Sequence, residues 1–501
     1  MQNISKILIA NRGEIAIRIM RTCKEMNIAT VAVFSDVDRT SQHVRYADEA
    51  WHIGKAPSSE SYLNIEKIMA VAKKTKADAI HPGYGFLSEN AHFARRCQEE
   101  GIMFIGPSPQ VIEQMGDKIK AREAMQKAGL PVVPGTPGSV VSEQEALDSI
   151  REIGLPVMIK AAAGGGGKGM RLVHHERDIV SAVRAARSEA KAAFGDDAVY
   201  IEKYITSPHH IEFQILGDNF GNAIHLFERE CSVQRRHQKM IEETPSPLMT
   251  PELRQKMGNA AVEAAKAVNY TGAGTIEFLV DDNLNYYFLE MNTRLQVEHP
   301  ITERVTGVDL VKQQIRIAEG HPLEYTQEQL VQKGHSIECR IYAEDPDNNF
   351  MPGAGKIYKI NEPLGLGVRT DGYVYEGYEI PIYYDPMISK LIVWGENREE
   401  AIQRMRRALY EYKITGVKTS IKFLERIMNN SDFTEGKYNT HFIEKNQEEL
   451  MKSDDCSIYD DMVAIAAYID FFSKINRIRE NNKEFAPAQS RWKKTPYINH
   501  F

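Results

Sequence analysis

Short apolar runs alternating with helical patterns dominate the first third of the chain. Ile7 to Ala10 reads as a strand, Glu14 to Met26 as a helix and Thr30 to Phe34 as the next strand. Ala79-Ile80-His81 and Met103-Phe104-Ile105 are further strand ends, each running into a turn with glycine and proline. Strands separated by helices can pair only in parallel, with the helices covering the faces, so a doubly wound sheet is expected. Asn11-Arg12-Gly13-Glu14 then falls where the first strand meets the first helix. The spacing lacks the GxGxxG of a dinucleotide-binding turn.

The remainder of the 501 residues is too long for one such sheet. Pro131, Pro134, Gly135, Pro137 and Gly138 mark a boundary after a helix from Lys118 to Ala128. A small module from about Val140 to Tyr204 follows, with a strand Pro156 to Ala161 and a helix Asp178 to Phe194. Ile211 to Asn292 reads as β-rich. A second β-rich part begins near Ile337, Glu399 to Tyr412 reads as a helix, and the ordered body is expected to end near Phe442. Beyond it, Met462, Ile465, Ile469 and Phe472 have the spacing of an amphipathic helix, which either packs on its own body or docks a partner. The tail from Asn481 to Phe501 is polar and basic.

Charge narrows the function. With 62 basic against 69 acidic side chains the net charge is −7, which gives no electrostatic footprint for nucleic acid. No apolar stretch reaches transmembrane length, and the run after Met1 is too short for a signal segment. Cys23, Cys97, Cys231, Cys339 and Cys456 are scattered without a CxxC pair, so free thiols in a reducing, cytoplasmic setting are expected.

Four motifs carry chemistry. In the first, Gly164, Gly165, Gly166, Gly167 and Gly169 surround Lys168, with Lys160 just upstream. Successive glycines can aim backbone N–H groups at an anion, so this is either a phosphate-covering lid or a flexible turn. It is not a Walker A loop, because no Ser or Thr follows the lysine. In the second, Thr275 to Asn292 reads as two strands turning near Asn283-Leu284. Val280 then faces Tyr287 and Glu277 faces Glu290. Opposed carboxylates repel unless a divalent cation joins them or water screens them. In the third, polar residues recur at every second position through Glu290, Asn292, Arg294, Gln296 and Glu298, one face of a strand if the segment stays extended. The fourth is the basic run Gln234 to Lys239, a solvated surface or an anion pocket.

Together these motifs resemble the biotin carboxylases of the ATP-grasp superfamily. The matching segments are Lys6 to Ala16, His81 to Asn90, Met115 to Lys118, the glycine loop, Glu228 to Lys239, Glu290 to Pro300 and Ile337 to Arg340, in family order. The resemblance implies an α/β chain with an ATP-grasp fold. A Rossmann-like N-terminal domain would span about 1–114 and an ATP-grasp domain 115–335, with a mobile glycine-loop lid at about 133–204. A β-rich C-terminal domain would span 336–446, with an extension over 447–501. It implies ATP ligands at Lys118, Lys160, Gly165, Gly166, Gly167, Lys168, Gly169, Glu202, Lys203, Tyr204, Ile205, His210, Gln234, His237, Glu277 and Glu290. Glu277, Glu290 and Asn292 would hold Mg2+ or Mn2+. Lys239, Arg294, Gln296 and Val297 would form the bicarbonate pocket, Glu298 would be the base, and Arg340 and Tyr84 would lie beside biotin.

The implied reaction runs from ATP and bicarbonate through carboxyphosphate to carboxybiotin. The chain lacks an Ala-Met-Lys-Met biotinylation motif and room for a transferase domain. The resemblance therefore implies a separate biotin carboxyl carrier protein, a separate carboxyltransferase and a homodimer, within an acetyl-CoA or propionyl-CoA carboxylase or a two-subunit pyruvate carboxylase.

Overall fold

The computed structural model describes residues 3–140, 142–161, 170–452 and 457–484. Met1–Leu450 form one compact unit and Met451–Phe501 a second.

The N-terminal alternation folds as the period of its apolar residues dictates. Strand β1 (Lys6–Ile9) leads to helix α1 (Gly13–Glu25), β2 (Ala29–Ser35), β3 (Glu49–Gly54), β4 (Ala79–His81) and β5 (Met103–Phe104). The sheet order is β3-β2-β1-β4-β5, parallel throughout. The order reverses between β1 and β4, and crevices of doubly wound sheets open at the carboxyl ends of such strands. Here Asn11, after β1, spans that crevice by donating Nδ2 to the carbonyls of Pro82 at 2.8 Å and Tyr84 at 2.7 Å. Gly83 between them has φ +65°, and a Cβ there would sit 3.0 Å from Asn11 Nδ2, so glycine is required.

A small antiparallel sheet follows. It is built from β6 (Val157–Ala161), β7 (Arg171–Val173) and β8 (Val199–Lys203) in the order β7-β6-β8, with helix α2 (Ile179–Phe194) packed on it. The glycine-loop positions Gly164, Gly165, Gly166, Gly167, Lys168 and Gly169 lie outside the described residues.

The centre of the molecule is an eight-stranded antiparallel sheet. Its strands are β9 (His209–Gly217), β10 (Ala223–Arg235), β11 (Gln238–Thr244), β12 (Gly272–Val280), β13 (Tyr286–Asn292), β14 (His335–Tyr342), β15 (Val368–Gly372) and β16 (Met387–Gly395). They run in the order β13-β12-β9-β10-β11-β14-β16-β15. One face is apolar: Ile211, Phe213, Ile276 and Phe278 pack under Leu253, Met257 and Ala261 of helix α3 (Pro251–Ala267). That helix interrupts the stretch expected to be β-rich. Its many alanines, between Ala260 and Ala267, weaken the contrast between its buried and exposed faces. The N-terminal sheet joins the central one through one core in which Ile7, Ile9, Ile15 and Ile19 meet Leu216, Ile224, Leu310 and Ile315.

Three further expectations need correcting. The β12–β13 hairpin pairs Val280 with Tyr286, not Tyr287, because a bulge lies between Glu277 and Phe278. The first unit also continues past Phe442, through two short helices, to Leu450, which is fully buried. In the second unit a helix runs from Ser457 to Glu484. Its apolar residues are not confined to the expected stripe: Val463 and Phe471 lie off it, and both, like Met462, Ile465, Ile469 and Phe472, are exposed.

Candidate active site

The second face of the central sheet is charged and buried, the reverse of the usual solvated face of an antiparallel sheet. It starts from polar residues that alternate with apolar ones: His210, Glu212 and Gln214 on β9, Thr275 and Glu277 on β12, Glu338 and Arg340 on β14. Glu212 faces both Glu277 and Arg229 across the strands. Arg229 is fully buried. It donates to both Glu212 Oε1 and Gln214 Oε1, the latter at 2.8 Å, and to Thr302 and Thr275.

Lys239 brings three carboxylates together. Its Nζ lies 2.6 Å from Glu212, 3.0 Å from Glu277 and 2.7 Å from Glu298. Glu298 immediately precedes helix α4 (His299–Thr306), and its second oxygen receives Arg340 NH2 at 2.9 Å. Arg340 also donates Nε to Glu242 at 2.6 Å. Burial alone would push the Glu298 carboxyl up. Lys239, Arg340 and Arg229 overcome that and hold it well below the usual range. Glu298 is therefore an ionised, water-shielded carboxylate between two cations, each able to hold an anion beside it.

The polar ladder from Glu290 to Glu298 does not stay extended. Strand β13 ends at Asn292, and the chain then turns into α4. The turn gathers the same side chains by another route. Arg294 donates to Asn292 Oδ1 and to Gln296 Oε1, each at 2.9 Å, while Gln296 Nε2 and Asn292 Nδ2 both donate to Glu277 at 2.9 Å. Arg294 Nε is held by Glu89 at 2.8 Å, a residue that sequence reasoning did not single out.

Glu277 faces Glu290 as expected. Glu277 also takes His210 Nε2 at 2.7 Å. Lys239 and His210 outweigh burial and hold it well below the ordinary carboxylate range. Burial and the Glu277 charge raise Glu290, which has no hydrogen bond or ion pair among the described residues. An ionised carboxylate opposite an unengaged one is a donor set that suits a hard divalent cation. His210, Glu212 and Glu277 also lie close enough to share an ion.

The remaining positions fall in several places. Lys160 pairs with Glu202 at 2.6 Å, and Arg122 approaches the same carboxylate at 3.6 Å. Lys118 is close enough for its charge to act on Glu290. Lys203 is tied to the carbonyls of Gly154 and Leu155, each at 2.9 Å, and Tyr204 meets His441. Ile205 follows β8 in a loop. Gln234 pairs with Lys239 across the β10–β11 hairpin, and His237 is exposed at its tip with φ 66°. The Val297 carbonyl accepts from Lys390 at 3.0 Å, and the Tyr84 hydroxyl donates to Glu14. Cys23, Cys97, Cys231 and Cys339 are free thiols, and Cys456 lies outside the described residues. No described helix is long and apolar enough to cross a membrane.

Comparison with known proteins gives consistent matches. Residues 3–112 match the family "Biotin carboxylase, N-terminal domain" and residues 338–445 "Biotin carboxylase C-terminal domain". Residues 117–326 match "Carbamoyl-phosphate synthase L chain, ATP binding domain". The chain is 60% identical over 440 residues to a biotin carboxylase of Nostoc sp., covering 88% of this chain and 98% of that one. It is 57% identical over 441 residues to a pyruvate carboxylase subunit of Methanothermobacter thermautotrophicus, covering 88% and 90%. Among solved structures, it resembles the biotin carboxylase domain dimer of Hydrogenobacter thermophilus 2-oxoglutarate carboxylase, in complex with MgADP, ADP and bicarbonate. The TM-score is 0.87 and identity 51%, over 91% of this chain and all of that one.

Proposed function

Because the chain belongs to the biotin carboxylase family, ligases of the ATP-grasp fold that use ATP, Mg2+ and biotin, we propose a division of labour among its own residues. The observation that carries it is Glu298 held between Lys239 and Arg340 at 2.7 and 2.9 Å.

Bicarbonate sits against Lys239, Arg294, Gln296 and the backbone at Val297. Glu298 takes its proton, and the oxygen so freed attacks the γ-phosphorus of ATP while the bond to ADP breaks. Positioning and charge neutralisation carry this step, which suits lysines and arginines better than a covalent nucleophile. Glu277 and Glu290, with Asn292 beside them, would hold Mg2+, which supplies charge neutralisation on the phosphate oxygens. Lys118, Lys160, the glycine loop, Glu202, Lys203, Tyr204, Ile205, His210, Gln234 and His237 hold the nucleotide. Carboxyphosphate breaks down to CO2 and phosphate. The phosphate takes the biotin N1′ proton, and N1′ attacks CO2. Arg340 offers its N–H groups to the ureido oxygen as negative charge develops there, with Tyr84 at the ring.

ATP cleavage that depends on bicarbonate and rises with free biotin tests this reading. Arg340→Met should lose biotin carboxylation by about 10²–10³-fold while bicarbonate-dependent cleavage falls far less. Equal loss of both sinks the assignment of Arg340. The biotin belongs to a separate carrier and the transferase to a further chain. We place the protein in an acyl-CoA carboxylase for acetyl-CoA or propionyl-CoA. The Methanothermobacter relative favours a second reading, the biotin carboxylase component of a two-subunit pyruvate carboxylase. Carboxyl transfer by the co-purified complex to acetyl-CoA, propionyl-CoA or pyruvate separates them. The dimer in the Hydrogenobacter structure supports a homodimer, which sedimentation would test.

A further inference from the structure

Glu338 on β14 stands directly opposite Glu242 on β11. Opposed residues of an antiparallel pair share a face. Both side chains are fully buried. Arg340, two residues beyond Glu338 on the same face, donates Nε to Glu242 Oε1 at 2.6 Å and NH2 to Glu298 Oε2 at 2.9 Å. Three oxygens on this face are left without a partner: Glu242 Oε2 and both oxygens of Glu338.

The charged groups facing Glu338 are Glu242 from β11, Arg340 from its own strand, Lys390 from β16 and Glu298 from the start of α4. Lys390 is already engaged, by Glu14 at 3.2 Å and by the Val297 carbonyl at 3.0 Å. Glu298 also has Lys239, so Glu242 and Glu338 are left with the one guanidinium they share with it. A buried carboxylate with no donor is far costlier ionised than protonated. A single proton relieves the excess, because an O–H on Glu338 can donate to Glu242 Oε2 and so engage two of the three oxygens left over.

We propose that Glu338 is a positioning residue, a neutral carboxylic acid that donates to Glu242 and leaves the Arg340 guanidinium free to serve Glu298 and the biotin oxyanion. The proposal rests on the reading of Arg340 given above. Ionised, Glu338 would compete with Glu298 and with biotin for the same guanidinium. Burial, with the charge of Glu242 set against that of Lys390, pushes the Glu338 carboxyl well above its ordinary range, and Glu242 itself is pushed up to about 7. Both shifts act in the direction that lets the pair hold a shared proton.

The test measures free-biotin carboxylation and biotin-independent, bicarbonate-dependent ATP cleavage of the full chain from neutral to alkaline pH. Glu338→Leu should lower biotin carboxylation on the order of tenfold, since Glu242 loses its donor. Glu338→Gln should restore most of that loss, because an amide N–H replaces the O–H. It should also flatten the alkaline fall of the wild type, about tenfold per pH unit beyond the titration. A purely packing role predicts no such flattening. A Glu338→Gln profile that superimposes on the wild type, or a folded but inactive Glu338→Gln, overturns the proposal. Infrared spectra decide it even if the variants fail to fold: the wild type at mildly alkaline pH must show a protonated buried carboxyl band. Its absence is a refutation. If Arg340→Met left biotin carboxylation intact, the ureido reading would fail by itself, and the band would still decide whether Glu338 holds its proton.

Discussion

Two buried guanidinium clusters sit in the same compact unit and are built in opposite ways. Arg12, just after β1, grips a single carboxylate with both arms of its fork: Nε to Asp38 Oδ2 at 2.6 Å and NH2 to Oδ1 at 2.7 Å. Asp38 is completed by Tyr62 at 2.6 Å and Ser41 at 2.8 Å, and the guanidinium lies 4.4 Å from the centre of the Tyr384 ring. Arg340 instead divides its fork between Glu242 and Glu298 and leaves carboxyl oxygens unpartnered nearby. A closed, bidentate pair ties Asp38 and its tyrosines into the fold. A divided one keeps directional N–H groups available to a substrate. Both arginines are buried, so burial alone does not tell a structural ion pair from a reactive one; the completeness of the hydrogen bonding does.

Removing the base should give the largest effect. Glu298→Gln is expected to lower kcat for bicarbonate-dependent ATP cleavage by about 10²–10⁴-fold, the usual range for a lost general base. Asp38→Asn should leave kcat of the folded enzyme within about twofold, as none of its hydrogen-bond partners, Arg12, Ser41 and Tyr62, is among the residues assigned to the reaction. If both substitutions cost the same in kcat, the clusters are not distinct in kind. Next, Asp38→Asn strands the Arg12 charge and should destabilise the fold by about 3–5 kcal/mol, read by denaturant titration. A loss below about 1 kcal/mol would mean that water reaches Arg12.

The contrast between the clusters was only partly legible in the sequence. The apolar period of Ile7 to Phe34 exposed the parallel sheet, and the doublets Glu277/Glu290 and Arg294/Glu298 exposed part of the site. Glu212, Arg229, Glu242 and Glu338 were passed over. For Glu212 and Glu338 the signal was polarity at every second position among Ile, Phe and Cys, whereas Arg229 and Glu242 sit in the charged runs Glu228-Arg229-Glu230 and Glu242-Glu243, which show no alternation. The same alternation describes a strand with one wet face, and only the packing of α4 and the N-terminal unit over that face turns it into a buried site. The bulge after Glu277 is likewise invisible to spacing. It shifts the tip of the hairpin by one residue while leaving the two glutamates opposed.

The smallest expected effect, and the one that separates the clusters by sign, is on the pH dependence of stability. Arg12 and the hydrogen bonds of Tyr62 overcome burial and hold Asp38 at about 2, below its ordinary 3.8. The unfolded chain therefore binds a proton before the folded one does. This contribution, on the order of 2 kcal/mol, is present above pH 3.8 and is lost as pH falls toward 2. Burial and the charge of Glu298, against Arg340, push Glu242 from 4.5 up to about 7. Here the folded state keeps a proton that the unfolded chain has released, so the contribution is full below pH 4.5 and fades as pH rises through 7. Its size is on the order of 3 kcal/mol. Glu242→Gln has no proton to release and should flatten the stability curve between those two values, while Asp38→Asn should flatten only the acid end. Parallel curves for the wild type and Glu242→Gln would mean that Glu242 is already ionised at mildly acidic pH, with Arg340 holding it as tightly as Arg12 holds Asp38.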